Sequence, residues 1–148
     1  MRAVIQRVDS ASVLVEGELV SSIGKGLLVL LGVEKGDDEK DVQYIVEKIV
    51  NLRIFEDESG KMNLSVRDIG GEVLLVSQFT LLASTRRGRR PDFTFAAPPD
   101  IAERLFSLSF SLLGNFVPTK KGIFGKKMLI YLVNNGPVTI ILDSRENR

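Results

Sequence analysis

The stretch Leu27-Leu28-Val29-Leu30-Leu31-Gly32-Val33 decides the fold. It is apolar at odd and even positions alike, and Gly24-Lys25-Gly26 leads into it. A strand with one wet face alternates, whereas a strand without alternation is covered on both faces and lies centrally in its sheet. The uncharged apolar run from Gly26 to Val33 spans about a third of a bilayer, so no membrane partner is expected. Gly24-Lys25 is no phosphate-binding loop, because Leu19 stands where its first glycine belongs.

Upstream, residues 2–8 and 11–15 alternate or run β-branched and read as strands. Glu16-Gly17-Glu18 turns into a further short strand at 18–23. Downstream, a helix starts near Asp37-Asp38-Glu39, with Val42, Ile45, Val46 and Ile49 on one face. With Asp41 these acids could make a hard-metal site, but helix-start chemistry is the better reading, since no sharp turn with carbonyl ligands accompanies them. Asp57-Glu58-Ser59-Gly60 is a turn, and Glu72 to Leu82 reads as a second buried strand. Pro98-Pro99-Asp100 opens a second helix with the stripe Ile101, Leu105, Leu108 and Leu112, closed by Gly114-Asn115. Its Phe106 and Phe110 read as core. Met128–Val133 and Val138–Leu142 are strands separated by Asn134-Asn135-Gly136-Pro137. No repeat and no Rossmann fingerprint occurs. The expected architecture is one α/β domain over residues 1–148, a mixed sheet of several strands with two main helices.

Composition narrows the chemistry. The 148 residues include no cysteine and no histidine. Disulfides, thiolate nucleophiles, zinc fingers, Ser-His-Asp triads and imidazole-ligated metals are excluded. No metal or cofactor is expected. The net charge of +1 hides an asymmetry: residues 1–74 carry 9 Lys and Arg against 14 Asp and Glu, and residues 75–148 carry 11 against 5. Arg86, Arg87, Arg89 and Arg90 crowd a Gly- and Pro-containing loop suited to phosphates. Their alternatives are a solvated loop or pairing with acids of the first half. A pI near 8.0 is below that of a dedicated nucleic-acid binder. Charges interrupt the apolar N-terminus, which is therefore no secretory signal, and the cytoplasm is the expected location.

Two segments break their local rules. Ser77-Gln78-Phe79-Thr80 interrupts a strand that otherwise reads as buried. Either these polar groups form a network or open cleft, or the strand leaves the core there. In Asn134-Asn135-Gly136-Pro137-Val138-Thr139, Asn-Gly signals a hairpin turn. Pro137, however, removes a donor where the returning strand should begin pairing, leaving the carbonyls of Gly136 and Pro137 free to face something else.

Together these segments carry a resemblance to the D-aminoacyl-tRNA deacylases, homodimeric editing enzymes that hydrolyse the ester between a D-amino acid and tRNA. It extends through Ile5-Gln6-Arg7-Val8, Arg53-Ile54-Phe55, Gly60 to Leu64, Ser77 to Leu81, Arg90-Pro91 with Phe93, Phe124-Gly125 through Met128, and Asn134 to Thr139. The resemblance implies a homodimer with active sites at the interface. Ser77, Gln78, Phe79 and Thr80 would be the catalytic set. Gly136 and Pro137, joined by a cis bond, would enter from the other subunit, receive the substrate's amino group and reject L-amino acids. Asn135, Phe124, Arg7 and Met128 match substrate-binding positions, with Phe124 near the terminal adenosine. A broad range of D-amino acids and achiral glycine, including glycyl-tRNA(Ala), would be accepted. The expected partners are D-aminoacyl-tRNA and a second copy of the chain, with neither DNA nor a membrane. Lys126, Asn135 and Asp92 depart from commoner Ala, Asp and Ser.

Lacking histidine, Ser77 and Thr80 have no evident base to make them nucleophiles. The terminal ribose carries a free 2′-OH beside the scissile ester, so substrate-assisted hydrolysis is the economical mechanism, with the protein supplying position and oxyanion dipoles. A non-catalytic RNA-binding module and a hydrolase of small D-amino-acid esters are the rivals.

Overall fold

The computed structural model describes residues 1–146. Its organising element is β1 (Arg2–Val15), antiparallel to β2 (Glu18–Ile23) through its second half and to β3 (Gly26–Gly32) through its first. Beyond β3 the chain forms α1 (Glu39–Asn51), the small antiparallel pair β4 (Phe55–Glu56) and β5 (Met62–Leu64), and β6 (Glu72–Ser77). A 3-10 turn at Phe79–Leu82 follows, then α2 (Pro99–Gly114), β7 (Thr119–Lys121) and β8 (Leu129–Asp143). The main sheet runs β2-β1-β3-β6-β7, with β8 also on β1, and β3, β6 and β7 are mutually parallel. This is the mixed two-helix α/β domain expected from the pattern.

The unbroken apolar run of β3 serves two cores. Leu27, Val29 and Leu31 enter the larger cluster beneath both helices, while Leu28 packs with Val8, Val13, Ile23, Leu74 and Val76 on the opposite face. β6 divides likewise, Val73 and Leu75 against Leu74 and Val76. Burying each such aliphatic side chain is worth about 1.5–3 kcal/mol. The acids at the start of α1 serve its capping: Asp38 accepts from the Lys40 amide at 2.9 Å, and Asp41 accepts from the Asp38 amide at 2.9 Å. Asp37 instead holds the buried Met1 ammonium at 2.8 Å and Arg145 at 3.0 Å.

Four expectations are corrected. Residues 2–15 are one strand with register irregularities, not two. The strand from Glu72 ends at Ser77 rather than Leu82, because the chain turns over Gly32. A Cβ on Gly32 would lie 2.6 Å from Leu82 Cδ2 and 2.8 Å from the Gln78 carbonyl oxygen, so only glycine admits that turn. The apolar face of α2 centres on Ala102, Leu105, Phe106 and Leu113, with Leu108 and Leu112 half-buried against the core and only Ile101 of the expected stripe turned out, 37% exposed. Ser109 joins this face because its hydroxyl donates to the Leu105 carbonyl at 2.8 Å and is thereby satisfied. Finally, Asn134–Pro137 is no hairpin turn: the flanking segments belong to one strand, both antiparallel to β1. The β4–β5 pair and β7 have no signature in the sequence, because strands so short carry little periodicity.

Candidate active site

The parallel pairing of β3 and β6 sets Leu31 opposite Ser77, so both carboxyl ends reach the same edge of the sheet. Between parallel strands that edge is where α/β sheets open crevices. Here a cleft of about 530 Å³ is lined by Ser77, Gln78, Phe79, Phe106, Phe124 and Met128 among others. The polar interruption of the sequence therefore lies where a buried strand becomes a cleft wall. Gln78 donates its amide to the Leu31 carbonyl at 2.8 Å, and its side-chain Nε2 donates to the Thr80 hydroxyl. Ser77 and Gln78 are half-buried, whereas Phe79 and Thr80 are exposed. The Phe79 amide opens the 3-10 turn, where the turn offers no acceptor for it.

On the far wall, Phe124 packs on Phe106 with ring centroids 5.9 Å apart. Met128 is held beside Gly122, where a Cβ would lie 2.6 Å from its sulfur. Lys126 and Lys127 add positive charge to the rim. Sequence reasoning missed Ala96, Ala97 and Pro99, which also line the cleft, because small side chains carry no chemical signal. Phe106, read as core, proves both buried and cleft-lining.

Arg7, Asn135, Gly136 and Pro137 are brought together, but apart from the residues that line this cleft. In the β1–β8 ladder Gln6 faces Thr139 and Val8 faces Asn134, so residues 135–138 bow out opposite Arg7 alone. Arg7, only 7% exposed, fastens the bow. Its Nε donates to the Asn135 carbonyl at 3.1 Å, one Nη to Asn135 Oδ1 at 3.0 Å and the other to the Ile54 carbonyl at 2.8 Å. Asn135 Nδ2 donates to Asp9 at 2.7 Å, and the Val138 amide donates to Asn134 Oδ1 at 3.1 Å. The Gly136–Pro137 peptide is cis and both residues are exposed. Gly136 has φ +132°, a conformation that L side chains rarely adopt.

The arginine loop is exposed throughout, and among the described residues Arg86, Arg87, Arg89 and Arg90 make no ion pair, which removes the pairing alternative. Two backbone hydrogen bonds between Ser84 and Asp92, of 2.7 and 2.9 Å, close the loop's base. The Asp92 carboxyl lies below its usual range because it accepts from the hydroxyl and amide of Thr94.

A sheet-edge cleft with a turn-opening amide, a hydroxyl and aromatic walls, in a chain without imidazole or thiol, suits a hydrolase that works by positioning. The profile of the family described as D-Tyr-tRNA(Tyr) deacylase matches residues 4–143, and the chain belongs to that family of hydrolytic enzymes. It is 56% identical over 146 residues to a D-aminoacyl-tRNA deacylase of Kosmotoga olearia, covering 99% of each chain. A D-aminoacyl-tRNA deacylase of Geobacter sulfurreducens is 55% identical over 146 residues, covering 98% of this chain and 96% of the relative. Among solved structures, one titled c-Myc DNA Unwinding Element Binding Protein superposes with TM-score 0.91 at 46% identity, covering 97% of this chain and 98% of that one. A probable eukaryotic D-amino acid tRNA deacylase shares the fold, with TM-score 0.78 at 16% identity over 95% of this chain and 97% of that one. No helix among the described residues is long and apolar enough to cross a membrane.

Proposed function

We propose that this chain hydrolyses the ester of D-aminoacyl-tRNA in the cytoplasm, releasing the D-amino acid and tRNA, and that it also clears glycine from tRNA(Ala). The observation that carries this reading is the Ser77–Thr80 segment at the mouth of an aromatic-walled cleft, in a chain without histidine or cysteine. The terminal adenosine lies against Phe124 and Met128. The Phe79 amide and Ser77 hydroxyl stabilise the developing oxyanion, and Gln78 and Thr80 shape the pocket. Water attacks the ester carbonyl, oriented by the neighbouring ribose 2′-OH, and the C–O bond to the ribose breaks with the proton passing to the departing oxygen. Arg86, Arg87, Arg89 and Arg90 hold phosphates without reading bases.

The active unit is a homodimer in which the Asn135–Pro137 bow of one copy completes the cleft of the other. Its absence from its own cleft's lining supports this, as does β8, which among the described residues pairs only with β1 and exposes Leu129, Tyr131, Val133 and Ile141. An unprotected apolar edge of that length invites a second chain. The Gly136 and Pro137 carbonyls receive the substrate's α-ammonium. Because Arg7, Asn134 and Asp9 fix the bow, it cannot yield to an L-substituent.

The test is ester loss from matched D-Tyr-tRNA and L-Tyr-tRNA. Rapid loss of the D-ester alone is expected; loss of both would remove the chiral argument, and loss of neither would remove the deacylase reading.

A further inference from the structure

The segment following the arginine loop has no part in the chemistry above, yet it displays aromatic rings. Phe93 is 39% exposed and Phe95 56%, and Phe79 at the cleft mouth is 56% exposed. Phe93 meets Phe79 edge to face, with centroids 5.0 Å apart, so the exposed rings continue outward from the cleft. Their backbone is firmly held. Asp92 pairs with Ser84 through both backbone groups, the Lys35 amide donates to the Phe95 carbonyl at 2.9 Å, and the Ala97 amide donates to the Val33 carbonyl at 3.0 Å. Asp92 further fixes the turn through the Thr94 amide at 2.7 Å. Rings so anchored are presented by design of the backbone, not by looseness of a loop.

We propose that Phe93 and Phe95 form a stacking platform for the unpaired nucleotides that precede the ester-bearing terminus of the RNA. This deepens the deacylase reading and rests on it. Aromatic faces beside a cationic groove are how proteins hold single-stranded nucleic acid without reading its sequence, since every base offers a π-face. Charge selects this occupant. The loop joined to the platform carries four arginines without ion-pair partners among the described residues, a surface that complements a phosphate chain. Position selects it too, because Ala96 and Ala97, at the end of the same segment, line the cleft. A strand of RNA with its last sugar in the cleft would pass Phe79, cross the platform and reach the arginines.

The test compares kcat/KM on D-tyrosyl-tRNA with that on 3′-O-D-tyrosyl-adenosine, which lacks the preceding nucleotides. Phe95→Ala and Phe95→Leu should lower the ratio of the first to the second by about 5- to 150-fold, the range for loss of one stacked base, and Phe95→Trp should restore it. Phe93 should give the same series. Equal losses on both esters, or Leu serving as well as Phe, would overturn the platform and leave a packing role. Dissociation of the dimer by Phe95→Ala in sedimentation would overturn it in favour of a contact between copies. Wild-type protein inert toward both esters would instead defeat the underlying deacylase reading and the platform with it. As a readout besides activity, an RNA 3′ end carrying 2-aminopurine should be quenched by wild-type protein and not by Phe95→Ala.

Discussion

Arg7 grips Asn135 twice, through its carbonyl at 3.1 Å and its side-chain oxygen at 3.0 Å, although the two stand 128 positions apart. The remaining Nη goes to the Ile54 carbonyl at 2.8 Å. One guanidinium thus ties β1, the approach to β4 and the bow in β8. A planar fork reaches these three acceptors from three separate nitrogens in a fixed geometry, whereas an ammonium concentrates its donors on a single nitrogen.

Arg7→Lys should therefore be a severe change. Loss of the fork leaves buried acceptors unpaired, at a cost of about 1–3 kcal/mol. The variant should melt earlier, and its hydrolysis of D-Tyr-tRNA should fall by at least tenfold while tRNA binding persists. Thermal unfolding, ester loss and filter binding together check this.

Asn135 is adapted to two neighbours of opposite sign, accepting from Arg7 and donating to Asp9 at 2.7 Å. Asn135→Asp keeps the first bond and sets two carboxylates within hydrogen-bond distance, where both cannot easily ionise. One of the pair should then take up a proton in the folded state, its pKa raised above the unfolded value. Relative to wild type, the variant should lose stability as pH rises from 5 to 8. Urea unfolding at both pH values measures it; a pH-independent difference would contradict the contact.

Gly32→Ala tests the turn that makes Phe79 available. The added methyl meets Leu82 and the Gln78 carbonyl at 2.6 and 2.8 Å, and overpacking of that kind costs about 1–3 kcal/mol. Because the displaced group is the turn proposed to carry the oxyanion donor, kcat should fall more than binding of tRNA.

Thr80→Ala addresses the mechanism. Thr80 is exposed and its hydroxyl accepts from Gln78 Nε2. If the substrate's own 2′-OH assists, the variant should retain activity within about tenfold of wild type and lose under about 0.5 kcal/mol of stability. Activity as low as the uncatalysed ester would revive a covalent threonine route. The ester of 2′-deoxyadenosine should be cleaved far more slowly by wild type.

Asp92 gives a sign-defined acid response. Hydrogen bonds from the Thr94 hydroxyl and amide lower its carboxyl from the ordinary 3.8. A depressed carboxylate contributes order that is complete above its unfolded pKa and lost as pH falls through the lower folded value. Amide exchange at Thr94 should therefore be pH-corrected and slow at pH 5–7, and should accelerate below about pH 4. Asp92→Ala should remove that step.

Much of this architecture was legible in the sequence because its causes are local. Two-faced apolarity placed β3 and β6 at the centre, the acids at Asp37–Asp41 marked the start of α1, and the polar break at Ser77–Thr80 marked either a cleft or the strand's departure from the core, both of which occur at Ser77. The lack of imidazole and thiol excludes histidine triads and thiolate nucleophiles whatever the fold. Other features had no local signature. The same Asn-Gly dipeptide that reads as a hairpin turn became a bow, because both flanking segments find their partner in β1 and because a guanidinium at the other end of the chain takes the Asn135 carbonyl. Likewise β6 stops at Ser77 because Gly32, on a neighbouring strand, leaves room for the chain to turn. Sequence periodicity determined which residues face a core. Hydrogen bonds and close approaches between segments far apart in the chain decided where the strands end and which backbone atoms are left for a substrate.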